Sequence, residues 1–159
     1  MAQFGSGTNA TFTPTVSTTT LNNGTLTMLT VGNIAKVKMI NWGGDGTSLV
    51  GYITRWSRST TAATGAPTNG LITATSPAIT PVATFVLSYA TTAPVNVANT
   101  FLFRQYWNVQ GGGGVVTLPI GGEWFLTGGA LATVYSQIGC NNEAGADANL
   151  SGYGMTWEE

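Results

Sequence analysis

The sequence predicts an all-β protein: an antiparallel β-sandwich, jelly-roll-like, with an extended N-terminal arm. Short segments alternate apolar and polar side chains with a period of two, as in strands that bury one face. Gly, Pro and Asn interrupt these segments at short intervals, which is typical of sandwiches and barrels. No segment has the apolar spacing of a helix. We expect an arm over residues 1–24 and a single β-sandwich domain over residues 25–159.

The arm is predicted because residues 1–24 are rich in Thr, Asn, Gly and Ser and carry only isolated apolar residues. Such a segment cannot bury enough surface to fold alone. We expect it to become ordered by lying across an adjacent subunit. Phe4 and Phe12 are therefore the candidate partner contacts, and the alternative is a frayed terminus.

The stretch over residues 34–60 holds four of the five Lys and Arg residues and is predicted as a hairpin that turns at residues 43–46. In its first arm, apolar residues alternate with Lys36 and Lys38. Its second arm is apolar on both faces, which predicts a sheet covered on both sides by a second sheet or by a neighbouring subunit.

The remaining strands are predicted from the same alternation. We expect a second hairpin of residues 123–127 with 130–138, a flexible break at the glycine run 111–114, and a polar loop at 141–149. The strand nearest the C-terminus is expected to pair inside a sheet. The other predicted strands cover residues 25–31, 71–75, 82–90, 101–109, 115–120 and 153–157.

Charge is scarce in this chain. Only 7% of its 159 residues are charged, against about 25% in ordinary soluble proteins. Such a surface favours contact with other protein, because little ion desolvation opposes association. The alternative is an extracellular or thermally robust domain with a neutral surface. The net charge of −1 without a basic cluster argues against a nucleic-acid partner.

No apolar run approaches the roughly 20 residues of a membrane helix, and the N-terminus lacks the pattern of a signal peptide. We therefore expect no membrane partner and synthesis in a cytoplasm.

The residues that commonly carry catalysis are sparse. His is absent and the six carboxylates are dispersed, so we expect no enzyme activity and no catalytic residues. Glu143 and Asp147 are a faint calcium candidate, with a solvated acidic loop as the favoured alternative. No metal or cofactor is expected. Cys140 is the single cysteine, and we expect it to be a small buried residue rather than a reactive thiol.

Aromatic residues are the remaining candidates for binding, since an exposed ring can stack on a sugar. Most of them occupy alternating strand positions, which favours core packing. The residues concerned are Trp42, Tyr52, Trp56, Tyr106, Trp107 and Trp124.

The loop RSTTAATGA at residues 58–66 and the end SGYGMTWEE at residues 151–159 resemble small bacteriophage virion proteins of the capsid decoration or cement type. The resemblance implies a virion protein, made in the host cytoplasm, that binds the major capsid protein across subunits and stabilises the shell. It also implies a homotrimer and no catalytic residues. The alternative is a tail-fibre or lectin-like domain that binds a host surface glycan.

Overall fold

The computed structural model describes residues 1–8, 17, 20–21, 24–45, 51–59, 67–74, 79–89, 94–95, 97, 101–108, 110–129, 136–144 and 151–159. In this part of the chain every regular element is a strand, and two antiparallel sheets pack against each other. The predicted antiparallel β-sandwich is confirmed, and its jelly-roll character stays a prediction. The strands are β1 (Gln3–Gly7), β2 (Thr25–Thr27), β3 (Ile34–Asp45), β4 (Gly51–Arg58), β5 (Pro67–Asn69), β6 (Thr73–Ala74), β7 (Thr84–Tyr89), β8 (Phe103–Asn108), β9 (Gln110–Thr117), β10 (Trp124–Thr127), β11 (Gln137–Ala144) and β12 (Ser151–Glu158).

The first sheet, sheet A, has the order β10-β3-β12-β1-β6, and β9 pairs with β3 beside β10. The second sheet, sheet B, has the order β5-β7-β2-β11-β4-β8. The two long strands β3 and β4 are consecutive in the chain, yet each lies in a different sheet. The two sheets enclose the core between their inner faces.

β12 lies inside sheet A between β3 and β1, as expected for the strand nearest the C-terminus. Its apolar side chains Tyr153, Met155 and Trp157 alternate and are buried. Trp157 stacks on Phe4 of β1 with ring centroids 6.0 Å apart, and Tyr153 meets Trp56 of sheet B edge-on at 6.4 Å. Because each buried large apolar side chain contributes about 1.5–3 kcal/mol, this strand holds the two sheets together.

The predicted hairpin of residues 34–60 is wrong, although both of its strands exist. β3 pairs with β12, β9 and β10, whereas β4 pairs with β11 and β8, so the two strands lie in different sheets. In the second predicted hairpin, residues 124–127 form β10, which pairs with β3, and residues 130–135 of the second arm lie outside the described residues. Alternation shows which face of a strand is buried, but it does not identify the neighbouring strand.

Two segments predicted as irregular are strands. The glycine run 111–114 belongs to β9, where Gly114 pairs with Trp42 and a Cβ there would lie 2.6 Å from the Trp42 ring. Glycine is therefore required by close packing and does not mark a flexible break. Residues 141–144 of the predicted polar loop belong to β11, whose Asn141 and Asn142 are fully buried.

The N-terminal residues differ from the expected arm. β1 is a strand of sheet A that pairs with β12 on one side and β6 on the other. Phe4 is 1% exposed and lies in the chain's own core, so its ring offers no surface to a partner. Phe12 lies outside the described residues.

The outer face of sheet B is covered by the chain itself where β2 and β11 lie. Leu21 is fully buried against this face, and the Thr25 hydroxyl donates a hydrogen bond to the Leu21 carbonyl at 3.3 Å. The Ser17 amide donates to the Asn142 carbonyl at 2.7 Å, and the Asn141 side-chain amide donates to the Ser17 carbonyl. The prediction that the second arm of residues 34–60 is covered on both sides holds for β4, whose residues 54–57 are buried on both faces.

Candidate interaction surfaces

A charged cluster lies on the outer side of sheet A, where β3 carries an extra residue relative to β12. Lys38 sits at this bulge and places its Nζ 2.9 Å from Glu123 Oε1 and 3.7 Å from Glu158 Oε2. The amide of Gly121 also donates to Glu123, at 2.6 Å. The Lys38 hydrogen bond is the main cause that lowers the pKa of Glu123 to about 2, and the same bond raises the pKa of Lys38.

A second charged cluster lies on the outer face of sheet B. Glu143 on β11 accepts from Arg55 Nη1 at 2.8 Å through one carboxylate oxygen and from Arg104 Nε at 2.6 Å through the other. Arg55 and Arg104 face each other directly across β4 and β8, so the carboxylate offsets the repulsion of two like charges.

The faint calcium candidate gains no support from this geometry. Both Glu143 oxygens are engaged by guanidinium groups, and Asp147 lies outside the described residues. Among the residues that the structure describes, no three His, Cys, Asp or Glu side chains are grouped to hold a metal.

Large apolar side chains are exposed at one end of sheet A. Ile34, Ile79 and Val82 line a shallow open cavity of about 400 Å³ with Gly32 and Asn33. Val31 lies in the adjoining turn, and Phe125 is on the same outer face, two residue pairs along the ladder from Ile34. These side chains are between 42% and 82% exposed. We call this set the end patch: Val31, Ile34, Ile79, Val82 and Phe125.

The backbone at the end patch is fixed. The Glu159 carboxylate accepts hydrogen bonds from the amides of Val82 at 2.7 Å and Ala83 at 2.9 Å. It also accepts from Trp157 Nε1 at 2.8 Å. Val82 therefore stands on a segment that is tied to the end of sheet A by three hydrogen bonds of one carboxylate.

The aromatic residues divide as the alternation indicates. Core packing is confirmed for four of the six candidates, which are at most 8% exposed: Trp42, Tyr52, Trp56 and Trp107. Trp124 is half-buried and packs against the core. Tyr106 is the exception, because it is 68% exposed on β8. Its ring lies across Gly51 of β4, where an added Cβ would overlap the Tyr106 hydroxyl.

Cys140 is the small buried residue that the sequence predicts. It is fully buried in the core, and this burial raises the pKa of its thiol. A thiol held protonated and away from solvent is a poor nucleophile.

The end patch and the Lys38 cluster were not identified from the sequence. The end patch combines segments near residues 31–34, 79–82 and 125, and Lys38 is far from Glu123 in the chain. One signal was present: Val31, Ile79 and Val82 stand beside turn-forming Gly and Pro residues, where loops lie at the surface.

Comparison with protein-family models, curated proteins and solved structures finds no match for this chain. Among the described residues, no helix is long and apolar enough to cross a membrane.

Proposed function

We propose that this protein is a structural virion protein, a decoration or cement protein that binds the major capsid protein across capsid subunits. The observation that carries the proposal is the end patch, an exposed apolar surface on a chain with very little charge. Exposed groups of apolar side chains commonly mark sites of protein association. The resemblance of residues 58–66 and 151–159 to small phage virion proteins selects a capsid as the partner.

Three ion pairs support the same proposal. Lys38, Arg55 and Arg104 each contact a carboxylate of this chain, whereas Lys36 lies over the Phe125 ring at 5.7 Å. Burial of the end patch against a shell would therefore leave the three paired ions with their partners, and loss of such partners is the main cost of burying charge. Repeated binding at equivalent sites on a capsid would add avidity to contacts that are individually weak.

The composition of purified phage particles tests the proposed function. We expect the protein to be present in many copies per particle, in a fixed ratio to the major capsid protein, as measured by quantitative proteomics. A low-resolution map should place it on the outer surface of the head. A few copies at the tail would contradict decoration and favour a fibre.

A substitution at the end patch tests the surface itself. Ile79→Asp places a charge in the patch at a half-exposed position, so we expect unchanged folding and weaker attachment to heads that lack the protein. Ile120→Asp is the matched control, because Ile120 is 95% exposed in the turn before β10, outside the end patch. Equal attachment of both variants would show that another surface is used.

The proposed assembly is a homotrimer. Light scattering of the purified protein at micromolar concentration should give a trimer mass, or self-association should appear on the capsid. A monomer in both settings would contradict it.

A glycan-binding domain of a tail fibre is the second candidate, and Tyr106 favours it. A Tyr ring that is 68% exposed and reaches over Gly51 of the neighbouring strand resembles the platforms on which sugars stack. A glycan array separates the candidates: binding that Tyr106→Ala abolishes would favour the fibre domain. The Gly51 contact gives Tyr106 a structural role as well, so we rank this function second.

A further inference from the structure

β8 is the end strand of sheet B among the strands that the structure describes. All six of its residues pair with β4 on one side. Three consecutive residues, Arg104, Gln105 and Tyr106, are exposed, so solvent reaches both faces of the strand. In the part of the chain described, no strand pairs with its outer edge. An unpaired strand edge presents a row of amide and carbonyl groups that can bind a further strand.

Two of the exposed side chains of β8 extend over the sheet and away from its outer edge, and the third, Gln105, donates to the Tyr106 carbonyl at 2.7 Å. Arg104 reaches across β4 to Glu143 on β11, with Nε 2.6 Å from Oε2. Tyr106 lies over Gly51 of β4. Natural sheets block open edges with Lys, Pro or a bulge. β8 contains neither Lys nor Pro, and its register with β4 is regular throughout.

An exposed cation lies beside this edge. Arg55 and Arg104 both contact the carboxylate of Glu143, and the Arg104 contact uses its Nε. The Arg104 side chain is 48% exposed, whereas the Arg55 side chain is 9% exposed. Arg104 is therefore the cation that a partner's carboxylate can reach. Arg and Tyr are also the residue types that most often dominate binding energy at protein interfaces.

We propose that the outer edge of β8 binds an extended acidic segment of a partner protein, which adds to sheet B as a further strand. Backbone hydrogen bonds to β8 would supply affinity, and a carboxylate beside Arg104 would select the segment. This site is separate from the end patch, and it would serve a decoration protein or a fibre domain equally. It does not depend on the proposed function.

Hydrogen exchange followed by mass spectrometry tests this proposal on the full chain. The probe is an alternating Thr-Val peptide of about ten residues, long enough to cover β8. One version carries a central Glu and its twin carries Gln. We expect the Glu peptide to protect the amides of residues 103–108 at a concentration about two- to fivefold lower than its twin, the ratio expected of an exposed ion pair.

Two variants sharpen the test. Arg104→Glu should reverse the preference between the two peptides, because it replaces the attracting cation by an anion. Gln105→Lys adds an edge-blocking Lys to β8 and should abolish protection by the Gln peptide, which has no carboxylate to pair with the new cation. Thr127→Lys is the matched control, since it adds the same charge to the end strand β10 of sheet A, and it should behave as the unmodified protein. Circular dichroism establishes that each variant is folded.

Several results would overturn the proposal. Equal protection by the Glu and Gln peptides would remove the role of Arg104. Absence of protection by either peptide in the unmodified protein, or protection by the Gln peptide that persists in Gln105→Lys, would exclude the β8 edge. If β8 were already protected in a dimer that Gln105→Lys dissociates, the occupant would be a second copy of this chain. None of these results alters the expected copy number on particles, so the two proposals fail independently.

Discussion

The outer faces of the two sheets contrast in a way that residue type alone would not suggest. Sheet B buries polar side chains on its outer face: Thr25, Ser57 and Asn141 are inaccessible to solvent. Sheet A exposes apolar side chains on its outer face, including Ile34 and Phe125. A polar part of the outer face of sheet B is therefore covered, and an apolar part of the outer face of sheet A is open.

The difference shows that a covering segment can be held by hydrogen bonds as well as by apolar contact. On sheet B, Thr25 and Asn141 donate to carbonyl groups of the covering residues Leu21 and Ser17. Buried polar groups are tolerated where such partners exist. On sheet A the described residues provide no such cover over the end patch, which leaves that surface available to another protein.

The two outer faces should differ most in the stability that is lost when an apolar side chain is truncated. Leu21→Ala should lower the free energy of unfolding by about 2–5 kcal/mol, because Leu21 is fully buried between the covering segment and sheet B. Ile34→Ala on sheet A should cost under about 1 kcal/mol, since Ile34 is half-exposed. Urea denaturation measures both. Similar losses would show that the two outer faces are equally covered.

Glycine substitutions give the next contrast. An added Cβ at Gly139 on sheet B would lie 2.6 Å from Thr25 Oγ1 and 2.9 Å from Leu21 Cβ. We expect Gly139→Ala to destabilise by about 1–3 kcal/mol through overpacking. Gly43→Ala on sheet A meets no atom within 4 Å and should be neutral or slightly stabilising. The midpoints of thermal unfolding of the two variants test this difference. If Gly139→Ala were as stable as the unmodified protein, the segment around Leu21 would be only loosely packed on sheet B.

Two threonine substitutions, one on each sheet, should show a smaller difference in stability. Thr25→Ala removes the buried hydroxyl that donates to the Leu21 carbonyl, at an expected cost of about 1 kcal/mol. Thr127→Ala removes an exposed hydroxyl from β10 on sheet A and should change stability by less than about 0.5 kcal/mol. Chemical denaturation of both variants provides the measurement. Equal costs would mean that the Thr25 hydrogen bond contributes nothing beyond strand propensity.

The smallest expected effect is a pH dependence of the Lys38 cluster on sheet A. The pKa of Glu123 is lowered from 4.5 to about 2, so the unfolded chain binds this proton more readily than the folded one. The stabilisation from Glu123 is therefore full above about pH 4.5 and is lost as pH falls through about 2.

Glu123→Gln should reduce the change in the free energy of unfolding between about pH 4.5 and about pH 2. At higher pH it should make the protein slightly less stable. Unfolding experiments across this range compare it with Glu158→Gln, whose carboxylate is farther from Lys38, at 3.7 Å against 2.9 Å. If the free energy of unfolding of Glu123→Gln fell with acid as steeply as that of the unmodified protein, Glu123 and Lys38 would not be coupled in solution.

The sequence predicted the sandwich and most of its strands because alternation reports burial directly. β7, β8 and β12 occur where alternating aromatic and aliphatic residues indicate them. The double burial of β4 was also visible, because its apolar residues occupy both faces. Partner strands were not predictable in this way, since β3 and β4 are neighbours in the chain and lie in opposite sheets.

β1 was missed for a physical reason. Its sequence QFGSG has one apolar residue and two glycines, and neither propensity nor alternation favours a strand. It becomes a strand because β12 offers a full pairing edge and Trp157 offers a ring to Phe4. The role of Phe4 therefore depended on residues about 150 positions away, which local pattern cannot reveal.

The candidate surfaces were less predictable than the fold. The scarcity of charge indicated association, but the end patch depends on which turns meet at one end of the sandwich. The Arg104 site likewise depends on β8 being an end strand and on Glu143 lying two strands away. Such juxtapositions follow from strand order, which the sequence did not specify.

The pairing of β1 with β12 has a consequence for the order of events during folding. Phe4 faces Trp157 across this pair, and the backbones of Ala2 and Glu159 exchange two hydrogen bonds of 3.0 Å. Residues 151–158 also supply the neighbour of β3, so the middle of sheet A cannot form before they have left the ribosome. Closing so long a loop is slow, and until then the edges of β1 and β3 are open to wrong pairing. A chain interrupted before residue 151 would keep those edges, and with them a tendency to aggregate.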